Sequence, residues 1–150
     1  MYKRQLVLRA GGATVSVTGS NPESTKDDVV AALAAEGLHV YARHGASPEE
    51  MRRYMSIALE LQPHVVIDDG GDLVELLHES QRQHGEQMLG ACEETTSGVL
   101  RARARARAGQ LRFPVMLVND ARCKYLFDNV HGTGQSAWDA VMRSLSLIHI

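Results

Sequence analysis

Polar residues that could do chemistry gather at a few points of the chain. Asp68-Asp69-Gly70-Gly71-Asp72 sets three carboxylates around two glycines. Carboxylates this close raise one another's pKa and can act as a base, a clamp for hydroxyls or a hard-cation site. The same five residues would also make a strand-to-helix turn with Asp72 as its cap. Glu93-Glu94-Thr95-Thr96-Ser97-Gly98 stacks acids and hydroxyls where a helix should begin, more polar residues than a capping box needs. Lys124 stands four residues before Asp128, with Asn129 next. On a helix this is an i,i+4 ion pair; with burial it is also a lysine able to take a proton. Spacing alone does not separate the two. Gly132-Thr133-Gly134-Gln135-Ser136-Ala137 spells the dinucleotide fingerprint G-x-G-x-x-A, but no clean strand precedes it, so it reads as a glycine-assisted helix start.

The elements that must position these groups follow from patterning. Residues 13–17 (Ala-Thr-Val-Ser-Val) make a β-branched strand that runs into the turn cluster Thr18-Gly19-Ser20-Asn21-Pro22. Ser24 or Thr25 caps a helix that has Asp27 and Asp28 in its first turn and Gly37 at its end. Residues 38–41 form a second strand. Ser47-Pro48 opens a helix as N-cap and first helical residue, and Pro63 follows its end. His64-Val65-Val66-Ile67 is a nearly continuous apolar run, as in a buried parallel strand. A helix follows over 73–78, then an irregular stretch over 84–90. A long helix is expected over 93–108, ended by Gly109. Residues 113–118 read as a fourth strand, residues 121–127 as a short helix, and 132–145 as a last helix. Strands alternating with helices of this length give an α/β fold: a Rossmann-like parallel sheet with flanking helices, in one domain. Ligands of such sheets bind beyond the carboxyl ends of the strands, and three of the polar clusters (18–21, 68–72 and Asn119-Asp120) directly follow predicted strands.

Composition narrows the function classes. The 150 residues are 44% hydrophobic and 23% charged, which is globular. Sixteen Lys and Arg against eighteen Asp and Glu leave a net charge of −2, with no global pull on nucleic acid or anionic membrane. No apolar run reaches the ~18 residues of a membrane span. The alternation of Arg101, Arg103, Arg105 and Arg107 with alanine reads as a solvated helix. The seven histidines have no metal-ligand spacing and the two cysteines no Cys-x-x-Cys, so no metal is expected.

Several motifs together resemble S-adenosylhomocysteine hydrolase, the adenosylhomocysteinase family. They are Asn21-Pro22-Glu23-Ser24-Thr25-Lys26-Asp27-Asp28, residues 67–73 (IDDGGDL), 93–98 (EETTSG), Phe113-Pro114 with Val118-Asn119-Asp120, and 127–136 (FDNVHGTGQS), in family order over about residues 8–143. The resemblance implies an incomplete substrate-binding domain whose NAD-binding domain is missing. It implies reversible hydrolysis of S-adenosyl-L-homocysteine to adenosine and L-homocysteine, through NAD-dependent oxidation of the ribose 3′ carbon. By resemblance, Asp69 is the carboxylate near the 4′ position and a base, and Glu94 holds the ribose hydroxyls. Lys124 and Asp128 bind the 3′ hydroxyl, with Lys124 assisting its deprotonation, and Asn129 lies against the lysine and the nicotinamide. Thr95, Thr96, Ser97 and Thr133 face NAD. A cytoplasmic homotetramer is implied for the full enzyme, with no nucleic acid or membrane partner and no turnover by this chain alone. Ser97 replaces the usual third threonine, Arg122-Cys123 replace smaller residues before Lys124, and Lys26 stands where glutamine is common. Residues 1–5 and 144–150 do not fit the family. The alternative is a stand-alone nucleoside-binding module without catalysis; another is an interaction protein related by descent.

Overall fold

The computed structural model describes residues 3–145. Helix α1 (Lys3–Ala10) precedes strand β1 (Ser16–Thr18), and α2 (Asp27–Ala35) leads to β2 (His39–Tyr41). Then come α3 (Pro48–Leu59), β3 (Val65–Asp68), α4 (Asp72–His78), β4 (Gly90–Glu93), α5 (Thr96–Arg107) and β5 (Val115–Leu117). A π-helical stretch, Lys124–Gly132, runs into α6 (Thr133–Ser144). All strand pairs are parallel, as the alternation implied. They form two sheets rather than one: β1-β2 and β3-β4-β5. Their carboxyl ends still meet, because the Ser20 hydroxyl after β1 donates to Asp69 Oδ2 after β3 at 3.1 Å.

Local chemistry explains most boundaries. Ser47 caps α3 in a full capping box: its hydroxyl accepts from Glu50 N at 3.2 Å while Ser47 N donates to the Glu50 carboxylate at 2.8 Å. Helix α2 departs from expectation. Its N-cap is Lys26, without a side-chain bond, because the Ser24 and Thr25 hydroxyls turn back to the carbonyl of Asn21 at 3.2 and 3.0 Å. At α4 the cap is also displaced. Asp72 is inside the helix, and Asp68, at the end of β3, accepts from Val74 N at 2.8 Å instead. Gly70 and Gly71 make this possible, since both have positive φ (113° and 83°).

The largest differences lie downstream. Residues 90–93 are a strand, β4, and the helix over 93–108 begins only at Thr96. Gly90-Ala91-Cys92-Glu93 carries no β-branched residue; it is extended because it pairs on both sides, Ile67–Cys92–Met116 and Asp68–Glu93–Leu117 lying in register. The short helix over 121–127 and the separate helix from Gly132 are one continuous helical segment. Gly132 has ordinary helical torsions (φ −63°, ψ −48°), so it starts nothing.

The core lies on one side of the three-stranded sheet, where Leu59, Val66, Val74, Leu77, Ala91 and Phe113 pack together. Strand β3 alternates rather than being buried throughout. Val66 and Asp68 point inward, while Val65 and Ile67 are 57% and 50% exposed, and Met116 of β5 is bare on the same side as Ile67. Within this core His78 is held neutral. Its Nδ1 lies 2.7 Å from the Val74 carbonyl, its Nε2 accepts from Arg112 N at 3.0 Å, and its ring packs on Phe113. Burial, more than any other cause, lowers its pKa below the usual 6.5. Glu93, on the inner face of β4, abuts Gly98 so closely that a Cβ there would overlap the carboxylate.

Two outcomes test this packing. A histidine with a depressed folded pKa gives stability that is complete above the unfolded pKa and lost as pH falls. Urea unfolding should therefore show wild type weakening relative to His78→Gln between pH 7.5 and 5.5; parallel pH curves would contradict it. Gly98→Ala should lower unfolding free energy by about 1–3 kcal/mol through overpacking, and an unchanged urea midpoint would rule out the close Glu93 contact.

Candidate functional site

Three adjacent parallel strands end side by side, and each delivers polar residues to the same edge. The doublets Asp68-Asp69 and Glu93-Glu94 divide by strand parity: the first member turns into the core, the second toward solvent. Asp68 is buried, accepts from Val74 N and from Asp69 N, and faces Glu93 across the ladder. Burial first, then the Glu93 charge, pushes its carboxyl up to about 6, while the backbone donors oppose the shift. Glu93 is 1% exposed. Its Oε1 accepts from Gly70 N at 3.1 Å, Thr95 N at 2.8 Å and Thr95 Oγ1 at 2.7 Å. The buried glutamate thereby ties the loop after β3 to the loop after β4.

The outward members are differently engaged. Asp69 is exposed and takes the Ser20 hydroxyl. Glu94 is half-buried, its backbone N–H donates to the Asp68 carbonyl at 3.1 Å, and its carboxylate pairs with Arg4 of α1 at 2.6 Å. Thr95 is the N-cap of α5, accepting from Gly98 N at 3.1 Å, and its hydroxyl lies 3.2 Å from that of Ser97. Thr96 is exposed and accepts from Asn119 Nδ2 at 3.3 Å.

Beyond β5, the π-helical stretch sets the geometry around Lys124. An ordinary helix would align Lys124 with Asp128. The wider π turn, with Thr133 N donating to the Asp128 carbonyl, aligns residues five apart. Lys124 Nζ accordingly donates to Asn129 Oδ1 at 2.6 Å, while Asp128 Oδ2 stands off at 3.7 Å with its side chain 67% exposed. Lys124 Nζ also donates to Asn119 Oδ1 at 2.9 Å, and Asn129 Nδ2 donates to the same oxygen at 3.1 Å. Lys124, Asn129 and Thr96 thus share one polar network. Asp128 borders it, and Thr133 sits further along the helix beside Asp128, in a shallow groove lined also by Gly132, Ser136 and Ala137.

Sequence reasoning had not singled out Asp68, Glu93 or Asn119 individually, although all three anchor the site. Neither doublet announced its inward member, because that depends on the strand register and β4 was not legible as a strand. Among the described residues no group of three or more His, Cys, Asp or Glu side chains is placed to hold a metal. Of the α5 arginines, Arg101 pairs with Asp72 and Glu75, Arg103 with Asp120 and Arg105 with Glu79, so this row is largely neutralised within the fold. Among the described residues no helix is long and apolar enough to cross a membrane.

Comparison with known proteins agrees with the motifs carried at this edge. The family model for S-adenosyl-L-homocysteine hydrolase matches residues 6–89 and 82–148. The chain is 54% identical over 143 residues to an adenosylhomocysteinase of Pyrococcus abyssi, covering 95% of this chain and 34% of that protein. It is 49% identical over 141 residues to an S-inosyl-L-homocysteine hydrolase of Methanocaldococcus jannaschii, covering 94% and 34%. With an adenosylhomocysteinase of Archaeoglobus fulgidus it shares 50% over 137 residues, covering 91% and 34%. The chain spans about a third of the length of these curated relatives. Over that span, in motif order and in family-model match, the chain belongs to the S-adenosyl-L-homocysteine hydrolase family.

Proposed function

We propose that this chain is the nucleoside-facing part of an enzyme that reversibly splits S-adenosyl-L-homocysteine into adenosine and L-homocysteine. The supporting observation is that Asp69 and Glu94 directly follow β3 and β4, and that Lys124 bonds Asn119 just after β5, all at the edge where open parallel sheets receive ligands. Glu94 accepts hydrogen bonds from ribose hydroxyls. Lys124 donates to the 3′ oxygen and assists its deprotonation, with Asp128 alongside and Asn129 holding the ammonium. Asp69 serves as the carboxylate base near the 4′ carbon. NAD, when bound, supplies the hydride acceptor for the 3′ carbon.

The donor set fits one end of that cofactor. Thr96 and Asn129 offer a hydroxyl and an amide suited to a carboxamide, whereas the Thr95 hydroxyl is already spent on Glu93 and Gly98 N. Ser97 and Thr133 are assigned to the cofactor side by the family motif. The glycines Gly132 and Gly134 lie inside a continuous helix, so they form no phosphate-cradling loop. On this reading the chain is a partial substrate-binding domain, residues 8–143, and a separate NAD-binding domain carries the dinucleotide phosphates. Cytoplasmic residence and a homotetrameric whole enzyme belong to the same proposal. The relatives' names divide between adenosyl and inosyl substrates, which share the ribose contacts and differ at the base.

Isothermal calorimetry of the 150-residue chain with adenosine, and with inosine for comparison, tests the reading. Micromolar adenosine binding is expected, weakened at least about tenfold by Glu94→Gln, the loss of one charged hydrogen bond. Arg4→Ala should tighten it several-fold by releasing Glu94. Absence of binding by both the wild type and Arg4→Ala would overturn the nucleoside reading. Inosine binding more tightly than adenosine would transfer the substrate to the inosyl class.

A further inference from the structure

Asn119 has no role in the reading above, yet it is the most connected polar side chain of the edge. It lies directly after β5 in a tight turn, Val118–Asp120, and is 3% exposed. Its Oδ1 accepts from both Lys124 Nζ (2.9 Å) and Asn129 Nδ2 (3.1 Å). Its Nδ2 donates to Thr96 Oγ1 at 3.3 Å and to Asp120 Oδ1 at 3.5 Å.

The direction of every bond in this chain is fixed by one fact: an ammonium donates and never accepts. Lys124 therefore requires carbonyl oxygens from both asparagines. That turns the Asn129 amide so that its NH2 meets the second lone pair of Asn119 Oδ1. It also turns the Asn119 NH2 to Thr96, whose oxygen must accept. The Thr96 hydroxyl keeps its own proton, and Thr96 is exposed. Two of the three ammonium protons are spent on Asn119 and Asn129, and the remaining direction lies on the side of Asp128.

We infer that Asn119 is a positioning residue that fixes the direction of the Lys124 ammonium and couples it to the Thr96 hydroxyl, so that both present a proton to a ligand's oxygen acceptors. The inference rests on the nucleoside reading for the ligand's identity, but the coupling does not need it. An acceptor bound at Thr96 strengthens that hydroxyl as an acceptor for Asn119 Nδ2, and the effect passes through the amide to Lys124. A ligand oxygen at one end and a second at the other are then read as a pair.

The chain has three lysines, Lys3, Lys26 and Lys124, so side-chain ammonium signals of lysine-15N-labelled protein can be assigned by single substitutions. In wild type the Lys124 signal should stand apart from the other two. Asn119→Ala should collapse it onto the other two. Thr96→Val, at an exposed position that does not touch Lys124, should also shift it. In an Asn119→Ala background Thr96→Val should leave the Lys124 signal unchanged. An unmoved Lys124 signal in Thr96→Val alone, or a response that survives in the Asn119→Ala background, would overturn the inference. Because Thr96 is a surface side chain, a fold lost in Asn119→Ala does not remove this test, and because no nucleoside is added, its failure is distinct from failed nucleoside binding.

Discussion

A carboxylate buried at the end of a central strand has to be answered by donors, and at Glu93 those donors are the loops of the site itself. No cation pairs with it among the described residues. Leaving such a charge unpartnered would cost several kcal/mol. Glu93 Oε1 instead collects Gly70 N, Thr95 N and the Thr95 hydroxyl, and the second oxygen has no hydrogen-bond partner in the described residues. The arrangement draws the backbone after β3 toward that after β4. Asp69 and Glu94, the next residue of each strand, are carried outward to one edge as a consequence. The absence of a side chain at Gly98 is the steric counterpart, since only glycine leaves room for the buried carboxylate at the start of α5.

Asp68 extends the same constraint. It lies opposite Glu93 in the ladder and caps α4, so the two buried acids share a small volume and Asp68 titrates at about 6. Its folded pKa is raised, so its contribution favours folding below its unfolded value of 3.8 and is lost as pH rises through about 6. His78 acts in the opposite sense from the opposite end of α4. Asp68 thus carries a cost at neutral pH that the core on the same face of the sheet must offset, through Leu77, Val74, Ala91 and Phe113.

Much of this was legible in the sequence. Ser47-Pro48 announced α3, the glycine at 37 ended α2 with φ of 79°, and the polar clusters were expected beyond the strands. The parallel α/β class followed from alternation alone. Strand β4 was not legible, because Gly90-Ala91-Cys92-Glu93 has no intrinsic strand preference and is extended only between two partners. The π turn was hidden for a related reason. A Lys and an Asp four apart advertise an ordinary helix, and only the three-dimensional demand of Asn119 on Lys124 and Asn129 reveals the five-residue period. Motif order identified the family, and local propensity could not have done so. Which members of each acid pair face inward needed the strand register.

The proposed function requires the ends of β3, β4 and β5 to act as one binding edge. Backbone amide shifts recorded while adenosine is titrated into labelled protein test this most directly. Asp69, Gly70, Glu94, Thr96, Asn119 and Lys124 should shift together along one saturation curve, with residues of α2 and β2 unmoved. Saturating shifts confined to another surface, or separate saturation curves for the three strand ends, would contradict it.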